Sequence, residues 1–340
     1  MSTQRAVVHK SPGVAEVRDD VPLPSLKDGY ITVKTKAVAL NPTDWKSLGA
    51  SKAPGTIAGC DYAGIVEQVG KGVTTLKPGD RVAGFVRGAD PVELTGAFAQ
   101  HIIAKSGILA KLTGDIFFED AATLGVGITT VAQGLYQSLG LPLPPAKVQE
   151  PTSILIYGAS TATGSLAVQF AKLSGLEVFA TASPHNFDFV KSLGADQVFD
   201  YRDQDIGAKI RSASKDNLRL VFDTIGEKGA PEIAAAALSS KGGHYSSIVG
   251  VKEFPRADVT NRYTMAYTAL GEKFNDAFPA SQEDFEFGVK FWRIAEELIN
   301  SGKLKPHPAD VRGGLDEIPK GLQDLKDNQV SGVKLVYKIE

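Results

Sequence analysis

From residue 153 onward the chain alternates short apolar runs with amphipathic stretches. Ile154, Leu155, Ile156 and Tyr157 make a run of strand length. A turn of small residues follows from Gly158 to Gly164, then an amphipathic stretch over 166–173 closed by Ser174 and Gly175. A second apolar run over 177–181 stops at Ser183 and Pro184. Strand, small-residue turn, helix and strand in that order predict a βαβ unit. The pattern continues with a helix over 187–193, a strand over 197–201, a helix over 205–212, a strand over 218–224, a helix over 231–238 and a strand over 244–249. Such alternation predicts a parallel sheet covered by helices.

The flanking regions read differently. Residues 5–112 are β-rich, with strand-like runs at 6–9, 30–40, 63–69 and 98–103 separated by Ser11-Pro12-Gly13, Lys27-Asp28-Gly29 and Lys77-Pro78-Gly79-Asp80. Frequent glycine and the lack of long helices predict a compact, barrel-like domain. A helical connection over 117–139 and a proline-rich loop over 141–151 lead to the first strand of the alternating part. Past residue 270 the alternation stops. A polar segment over 271–283 precedes an amphipathic helix over 284–301, ended by Gly302, and a last strand over 333–339 is expected to return to the first domain. The expected fold class is α/β, with a β-rich domain over 1–120, a doubly wound parallel-sheet domain over 121–270 and a C-terminal segment over 271–340.

The turn after the first alternating strand carries candidate chemistry. A dinucleotide-binding turn has the form G-x-G-x-x-G, and Ser160 stands where its second glycine would be. The helix that follows offers unpaired N–H groups and a positive dipole end to a pyrophosphate, beside Ser160, Thr161, Ala162 and Thr163. In NAD-binding units an acidic residue near the end of the second strand bonds the ribose 2′-hydroxyl. Here that strand runs into Ser183, Pro184, His185 and Asn186, with no carboxylate before Asp188. Ser183, His185 and Asn186, with Tyr201 and Arg202, are donors suited to a 2′-phosphate, which predicts NADPH rather than NADH. Ser or Asn capping the next helix is the alternative for the same stretch.

Composition narrows the partners. The 340 residues carry a net charge of −2, which presents no broad basic field to nucleic acid or an anionic membrane. The single cysteine, Cys60, excludes an internal disulfide and any cysteine-rich metal site. No apolar run is long enough to span a bilayer. Met1-Ser2-Thr3-Gln4-Arg5 has no signal-peptide character, so a cytoplasmic protein is expected. His9, His101, His244 and His307 have no spacing that suggests a triad or a metal site.

Several further runs carry a resemblance: Asn41-Pro42-Thr43-Asp44-Trp45-Lys46, Gly59-Cys60-Asp61-Tyr62-Ala63-Gly64-Ile65-Val66, Leu76-Lys77-Pro78-Gly79-Asp80-Arg81-Val82 and Leu193-Gly194-Ala195-Asp196. With the dinucleotide unit, these resemble the medium-chain dehydrogenase/reductase superfamily over essentially the whole chain. The resemblance implies a GroES-like domain plus a Rossmann domain, with the active site in the cleft between them. Zinc alcohol dehydrogenases of that superfamily carry Cys at the position of Asn41, and Gly-His-Glu where this chain has Gly59-Cys60-Asp61. No metal is therefore expected. Within the zinc-less branch, Ser160-Thr161-Ala162-Thr163, Val198-Phe199-Asp200-Tyr201-Arg202, Gly242-Gly243-His244-Tyr245 and Phe291-Trp292-Arg293-Ile294-Ala295 look like fungal trans-acting enoyl reductases of polyketide synthases. A segment between Thr264 and Phe287, associated with a monomeric state in that group, points the same way.

The reaction that fits is hydride transfer from NADPH to the β-carbon of a C=C conjugated to a carbonyl, with a polyketide synthase carrier domain as the partner. Nicotinamide and alkene must stack closely, the enolate oxygen wants donors and the α-carbon wants a proton. By family position, Asn41, Pro42, Thr43, Asp44 and Lys46 line the nicotinamide end, with Ile248, Val249, Val330 and Ser331. Lys46, on a loop after the Asn-Pro-Thr-Asp turn, and Thr129 are the catalytic candidates. Leu124, Gly125, Val126, Gly127, Ile128, Thr129 and Thr130 line the acyl pocket with Tyr267, Thr268, Leu270 and Gly271. Gly125 and Gly127 are expected to leave room for a bulky chain. Tyr62 and Cys60 are expected in the core. A stand-alone NADPH reductase of quinones or enones, and a non-catalytic NADPH-binding protein, are the alternative readings.

Overall fold

The computed structural model describes residues 2–50, 53–90, 95–227 and 229–340. Strands β1 (Thr3–Ser11) and β2 (Val14–Pro22) form a hairpin. They are followed by β3 (Tyr30–Ala39), α1 (Pro42–Ala50), β4 (Asp61–Val69), β5 (Arg81–Phe85), β6 (His101–Lys105) and β7 (Leu109–Lys111). Helices α2 (Phe118–Ala121) and α3 (Gly125–Val131), then a π-helical turn (Ala132–Ser138), lead to the alternating part. That part comprises β8 (Ser153–Tyr157), α4 (Ala162–Leu173), β9 (Glu177–Ala182), α5 (Phe187–Ser192), β10 (Gln197–Asp200), α6 (Ile206–Ala213), β11 (Leu220–Asp223), α7 (Ala230–Ala237), β12 (Gly243–Ser247) and β13 (Val259–Tyr263). The chain continues through α8 (Gln282–Asn300), β14 (Ala309–Arg312), α9 (Ile318–Lys326) and β15 (Lys334–Lys338).

The chain divides into two units. One comprises the chain up to Val126 together with Tyr267–Glu340; the other is Gly127–Ala266. Residues 121–126 and 267–270 therefore lie in the first unit. Its larger sheet runs β14-β15-β3-β4-β5-β7, with β6 also pairing β3. The last strand, β15, is antiparallel to β3, with Val336 opposite Ala39. Ile31, Val33, Tyr62, Val82, Phe98 and Tyr337 fill its core and are almost inaccessible to solvent.

The second unit is a six-stranded sheet in the order β10-β9-β8-β11-β12-β13, with every pair parallel. Its central strands β8, β9 and β11 read as largely apolar runs, as expected where helices cover both faces. Leu155, Phe179, Val221 and Tyr245 are fully buried in the core. Chain order reverses between the neighbours β8 and β11. In open α/β sheets, ligands bind beyond the carboxyl ends of the strands at that reversal.

Three local expectations change. Residues 42–46 lie on α1 rather than in a turn. Pro42 occupies the first helical position, where its missing N–H costs nothing, and the Asp44 carboxylate two residues on accepts the Asn41 N–H at 2.7 Å. The helical stretch over 117–139 is interrupted rather than continuous. The strand expected at 98–103 lies at His101–Lys105, with Ala99 making an isolated bridge to Ala6.

Candidate active site

At the nucleotide turn the two glycines serve packing first. Gly158 has φ +78°, a left-handed conformation that favours glycine, and a Cβ on it would lie 2.7 Å from Thr224 Oγ1. A Cβ on Gly164 would lie 2.2 Å from the Gly158 carbonyl oxygen, so helix α4 can start this close to β8 only without one. The helix begins at Ala162, four residues before the expected 166. Thr161 caps it, accepting the Gly164 N–H at 2.9 Å, and its hydroxyl lies 3.0 Å from that of Thr224. Thr224 in turn donates toward the Tyr157 carbonyl at 2.9 Å. Ser160, Thr161, Ala162 and Thr163 thus form a half-buried helix entrance stitched to the end of β11. A helix N-terminus with glycine-close backbone suits a pyrophosphate. Thr224 was not legible as part of this turn; it joins from a strand 63 residues away.

Beyond β9, Ser183 leads into a single 3-10 turn over Pro184–Asn186, with Pro184 and His185 exposed and Asn186 buried. In the parallel pairing of β9 and β10, Ala182 lies opposite Asp200, and the exposed Tyr201 follows. Arg202 donates to both Asp200 oxygens, at 2.9 and 2.8 Å, and holds that carboxyl below the usual carboxylate range. Arg202 is therefore engaged with a carboxylate at this edge. Asp200 was overlooked because it belongs to the third strand rather than the second. Ser183, His185 and Tyr201 lie at the same edge and carry polar side chains.

Asp223, at the end of β11, is a second residue that sequence reasoning missed. One carboxylate oxygen accepts the N–H groups of Ile225 (2.8 Å) and Gly226 (2.9 Å), and the other accepts the Tyr245 hydroxyl at 2.6 Å. Burial pushes its pKa up. It shapes the loop after β11. Ile248 and Val249 follow β12 at the same carboxyl edge, where the Ser247 hydroxyl donates to the Val249 carbonyl at 2.7 Å.

In the first unit, a buried polar cluster gathers Asn41, Thr43, Asp44, Cys60, Asp61, Tyr267 and Lys334. The Lys334 side chain is 3% exposed and that of Asp61 is 0% exposed. The Lys334 ammonium donates to Asp61 Oδ2 at 2.5 Å, to Asn41 Oδ1 at 3.0 Å and to the Thr123 carbonyl at 3.2 Å. The other Asp61 oxygen accepts the Val126 N–H at 2.7 Å. His307 is buried nearby, and burial, with Lys334 adding to it, lowers its pKa to about 3. The Asp44 carboxyl is pushed up to about 7, chiefly by burial. The Tyr267 hydroxyl lies 2.9 Å from Thr43 Oγ1 and 3.4 Å from the Cys60 thiol, and burial raises the pKa of both the phenol and the thiol. Phe274 stacks on the Tyr267 ring at 4.7 Å. Lys46 is exposed on α1, its ammonium 5.7 Å from the centre of the neighbouring Trp45 ring.

The donors do not fit a divalent zinc ion. At the two positions where zinc ligands were expected in relatives, this chain has the Asn41 amide, whose oxygen accepts from the Lys334 ammonium, and the buried Cys60 thiol; that ammonium would repel a dication. Among the described residues, no group of three or more His, Cys, Asp or Glu side chains could hold a metal ion.

The acyl-pocket residues are split by the division of the chain. Leu124, Gly125 and Val126 belong to the first unit; Gly127, Ile128, Thr129 and Thr130 belong to the second, along α3. Thr129 and Thr130 are buried. The space left by the two glycines is taken up by protein, contrary to expectation. A Cβ on Gly125 would meet the Gly84 carbonyl at 2.4 Å and Asp61 Oδ1 at 2.5 Å, and one on Gly127 would meet Leu166 at 2.6 Å. Tyr267, Thr268 and Leu270 are buried in a 3-10 helix (Ala266–Leu270), and Gly271 follows at φ +73°. Val330 and Ser331 precede β15. Cys60 and Tyr62 are in the core, as expected.

Comparison with known proteins places this geometry. Residues 27–114 match the alcohol dehydrogenase GroES-like domain, and residues 162–274 match the domain described as zinc-binding dehydrogenase. The solved structure of an alcohol dehydrogenase superfamily protein from Novosphingobium aromaticivorans is 25% identical, with a TM-score of 0.84 and full coverage of both chains. The CurK enoyl reductase, 21% identical, shares the fold at a TM-score of 0.80 over all of both chains. Fold and site define a member of the medium-chain dehydrogenase/reductase superfamily. A trans-enoyl reductase of Alternaria alternata is 60% identical over 100% of both chains. The enoyl reductase component of the lovastatin nonaketide synthase of Aspergillus terreus is 39% identical, covering 94% of this chain and 92% of its own. Within the superfamily, the chain belongs to the trans-enoyl reductases. No helix among the described residues is long and apolar enough to cross a membrane.

Proposed function

We propose that the protein is an NADPH-dependent, trans-acting enoyl reductase that reduces the conjugated C=C of acyl chains carried by a polyketide synthase. The observation that carries this reading is the 60% identity to a trans-enoyl reductase over the full length of both chains. The ammonium of Lys334 supports it: with no fit for zinc, the substrate must bring its own activation, as an unsaturated thioester does.

NADPH supplies the hydride when bound. The protein's residues hold and orient it: Ser160, Thr161, Ala162 and Thr163 meet the pyrophosphate at the start of α4, and Ser183, His185 and Tyr201 meet the 2′-phosphate. Hydride delivered to the β-carbon leaves an enolate, whose oxygen is stabilised by donors placed in advance. Lys46 is one such donor and Thr129 orients the carbonyl or the nicotinamide amide. A proton is then delivered to the α-carbon.

The test is NADPH oxidation with an α,β-unsaturated acyl-pantetheine thioester, beside a panel of small quinones. The reading expects turnover of the thioester; turnover of quinones alone would replace it with a stand-alone quinone reductase, and silence on both would indicate an NADPH-binding protein without catalysis. For the cofactor, Tyr201→Phe and Ser183→Ala should weaken NADPH far more than NADH, and equal losses would overturn the phosphate assignment. A Lys46→Ala variant with unchanged kcat/KM would remove Lys46 from the mechanism.

A further inference from the structure

Residues 272–280 of the first unit build a small turn that makes its own hydrogen bonds. The Phe274 N–H donates to the Phe278 carbonyl at 3.0 Å, and the Phe278 N–H donates to the Asn275 carbonyl at 3.2 Å. The Asn275 side chain accepts the N–H groups of Ala277 (2.9 Å) and Phe278 (3.0 Å), and Lys273 pairs with Asp276 at 2.7 Å. These bonds stay within the segment, so it can move as one piece without breaking them. Seven of its nine residues are exposed and the other two, Phe274 and Phe278, are half-buried. Little apolar burial therefore holds it down, which is the character of a segment that opens locally.

Both ends are fixed. Before the turn, Lys105 donates to the Leu270 carbonyl at 2.6 Å and to Glu272 at 3.2 Å, and the Tyr30 hydroxyl donates to the same Glu272 carboxylate. Gly271, at φ +73°, stands between those two held residues. After it, Ser281 caps α8 by accepting the Asp284 N–H at 3.1 Å. Between the ends, Arg87 donates to the carbonyls of Lys273 (3.2 Å) and Phe274 (3.4 Å), and its guanidinium lies 4.6 Å from the centre of the Phe274 ring. Asp90 holds the same guanidinium at 3.2 Å. The two hydrogen bonds are long, and each of these contacts is weak singly. Phe274 in turn stacks on Tyr267 at 4.7 Å, within 5° of parallel, with Phe85 5.5 Å from the same ring. The Tyr267 hydroxyl reaches Thr43 and the Cys60 thiol.

We propose that residues 272–280 are a flap, latched by Arg87, that opens without unfolding the first unit and controls access to Tyr267 and to the Cys60 thiol beside it. Opening carries Phe274 off the Tyr267 ring, with Gly271 and the joint before Ser281 as the hinges. Under the enoyl reductase reading, in which Tyr267 belongs to the acyl pocket, the flap is a gate to that pocket. The opening itself does not depend on that reading.

Cys60 is the one cysteine of the chain, so thiol labelling reports on a single place. The probe is methyl methanethiosulfonate, in excess, on the full-length protein. When reclosing is fast, the labelling rate follows the population of the open form. In the unsubstituted protein that rate should barely change with urea below the unfolding transition, because opening a flap exposes little surface. Arg87→Ala should speed labelling about ten- to a hundred-fold, with the same shallow urea dependence. Arg87→Lys keeps the charge but not the fork that spans two carbonyls, and should also speed it. Phe274→Ala removes the covering ring with Arg87 left in place, and should do the same. A labelling rate that rises with urea as steeply as global unfolding overturns the proposal. So do equal rates in Arg87→Ala and the unsubstituted protein. Should Arg87→Ala fail to fold, the urea dependence of the unsubstituted protein decides between the two outcomes. The assay uses neither NADPH nor a thioester, so a failure of the enoyl reductase reading leaves its result intact.

Discussion

Replacing Lys334 by Met removes one charge of a pair that water does not reach. The Met side chain has similar length, so the main effect is electrostatic rather than a cavity. Asp61 then keeps the Val126 N–H at one oxygen but loses its partner at the other, while Asn41 Oδ1 and the Thr123 carbonyl each lose a donor. Breaking a buried pair from one side leaves an uncompensated charge and costs about 3–5 kcal/mol. The first unit holds roughly 200 residues, for which a kcal/mol moves Tm by about 2–4 °C, so the expected drop is roughly 6–20 °C. Differential scanning calorimetry measures it, with urea melts for the free energy. The double variant Lys334→Met with Asp61→Leu should recover most of the loss, because apolar groups replacing a buried ion pair are often neutral or stabilising. A loss below about 1 kcal/mol for the single variant, or no recovery in the double variant, would refute the reasoning.

Other expectations concern pH and the nucleotide turn. Asp44 is raised from an ordinary 3.8 to about 7, so its contribution to stability is complete below pH 3.8 and is lost as pH rises through 7. The stability difference between the protein and Asp44→Asn should therefore shrink by about 1.4 kcal/mol per pH unit across that window, and a flat difference in urea melts would contradict the buried protonated carboxyl. His307 is lowered from 6.5 to about 3, which gives the opposite sign: stability is lost as pH falls from 6.5 toward 3, and His307→Gln should remove that slope. Gly164→Ala should destabilise the second unit by about 1–3 kcal/mol and weaken binding of the nicotinamide cofactor, since its Cβ would strike the Gly158 carbonyl, which is backbone and cannot rotate away. Thr161→Ala should cost about 1 kcal/mol through the lost helix cap, measurable by thermal melting.

Much of the second unit was legible because its chemistry is local. Strands buried on both faces are mostly apolar, so the runs at β8, β9 and β11 stand out against the amphipathic helices between them. The glycine-close turn and the missing carboxylate after β9 were readable for the same reason. β13 was not read, because Val259-Thr260-Asn261-Arg262-Tyr263 has an exposed edge strand's polarity. In the first unit, Asn41-Pro42-Thr43-Asp44 carries the signals of both a turn and a helix start. Only the bond from the Asn41 N–H back to Asp44 decides for the helix.

By itself, then, the amino-acid sequence determined the two-part α/β organisation, the nucleotide turn and, through its motifs, the superfamily. Tertiary structure alone decided the polar cluster. Lys334 in a strand otherwise reads as a solvated charge, and its partner Asp61 lies 273 residues away. Thr43 meets Tyr267 across 224 residues. Gly125 and Gly127 read as open space, but sheet and helix packing fill it. The physical reason is common to all three: periodicity and turn chemistry act between neighbours in the chain, whereas burial, and with it the direction in which an amide, an ammonium or a carboxylate must point, is set by whatever the fold brings alongside.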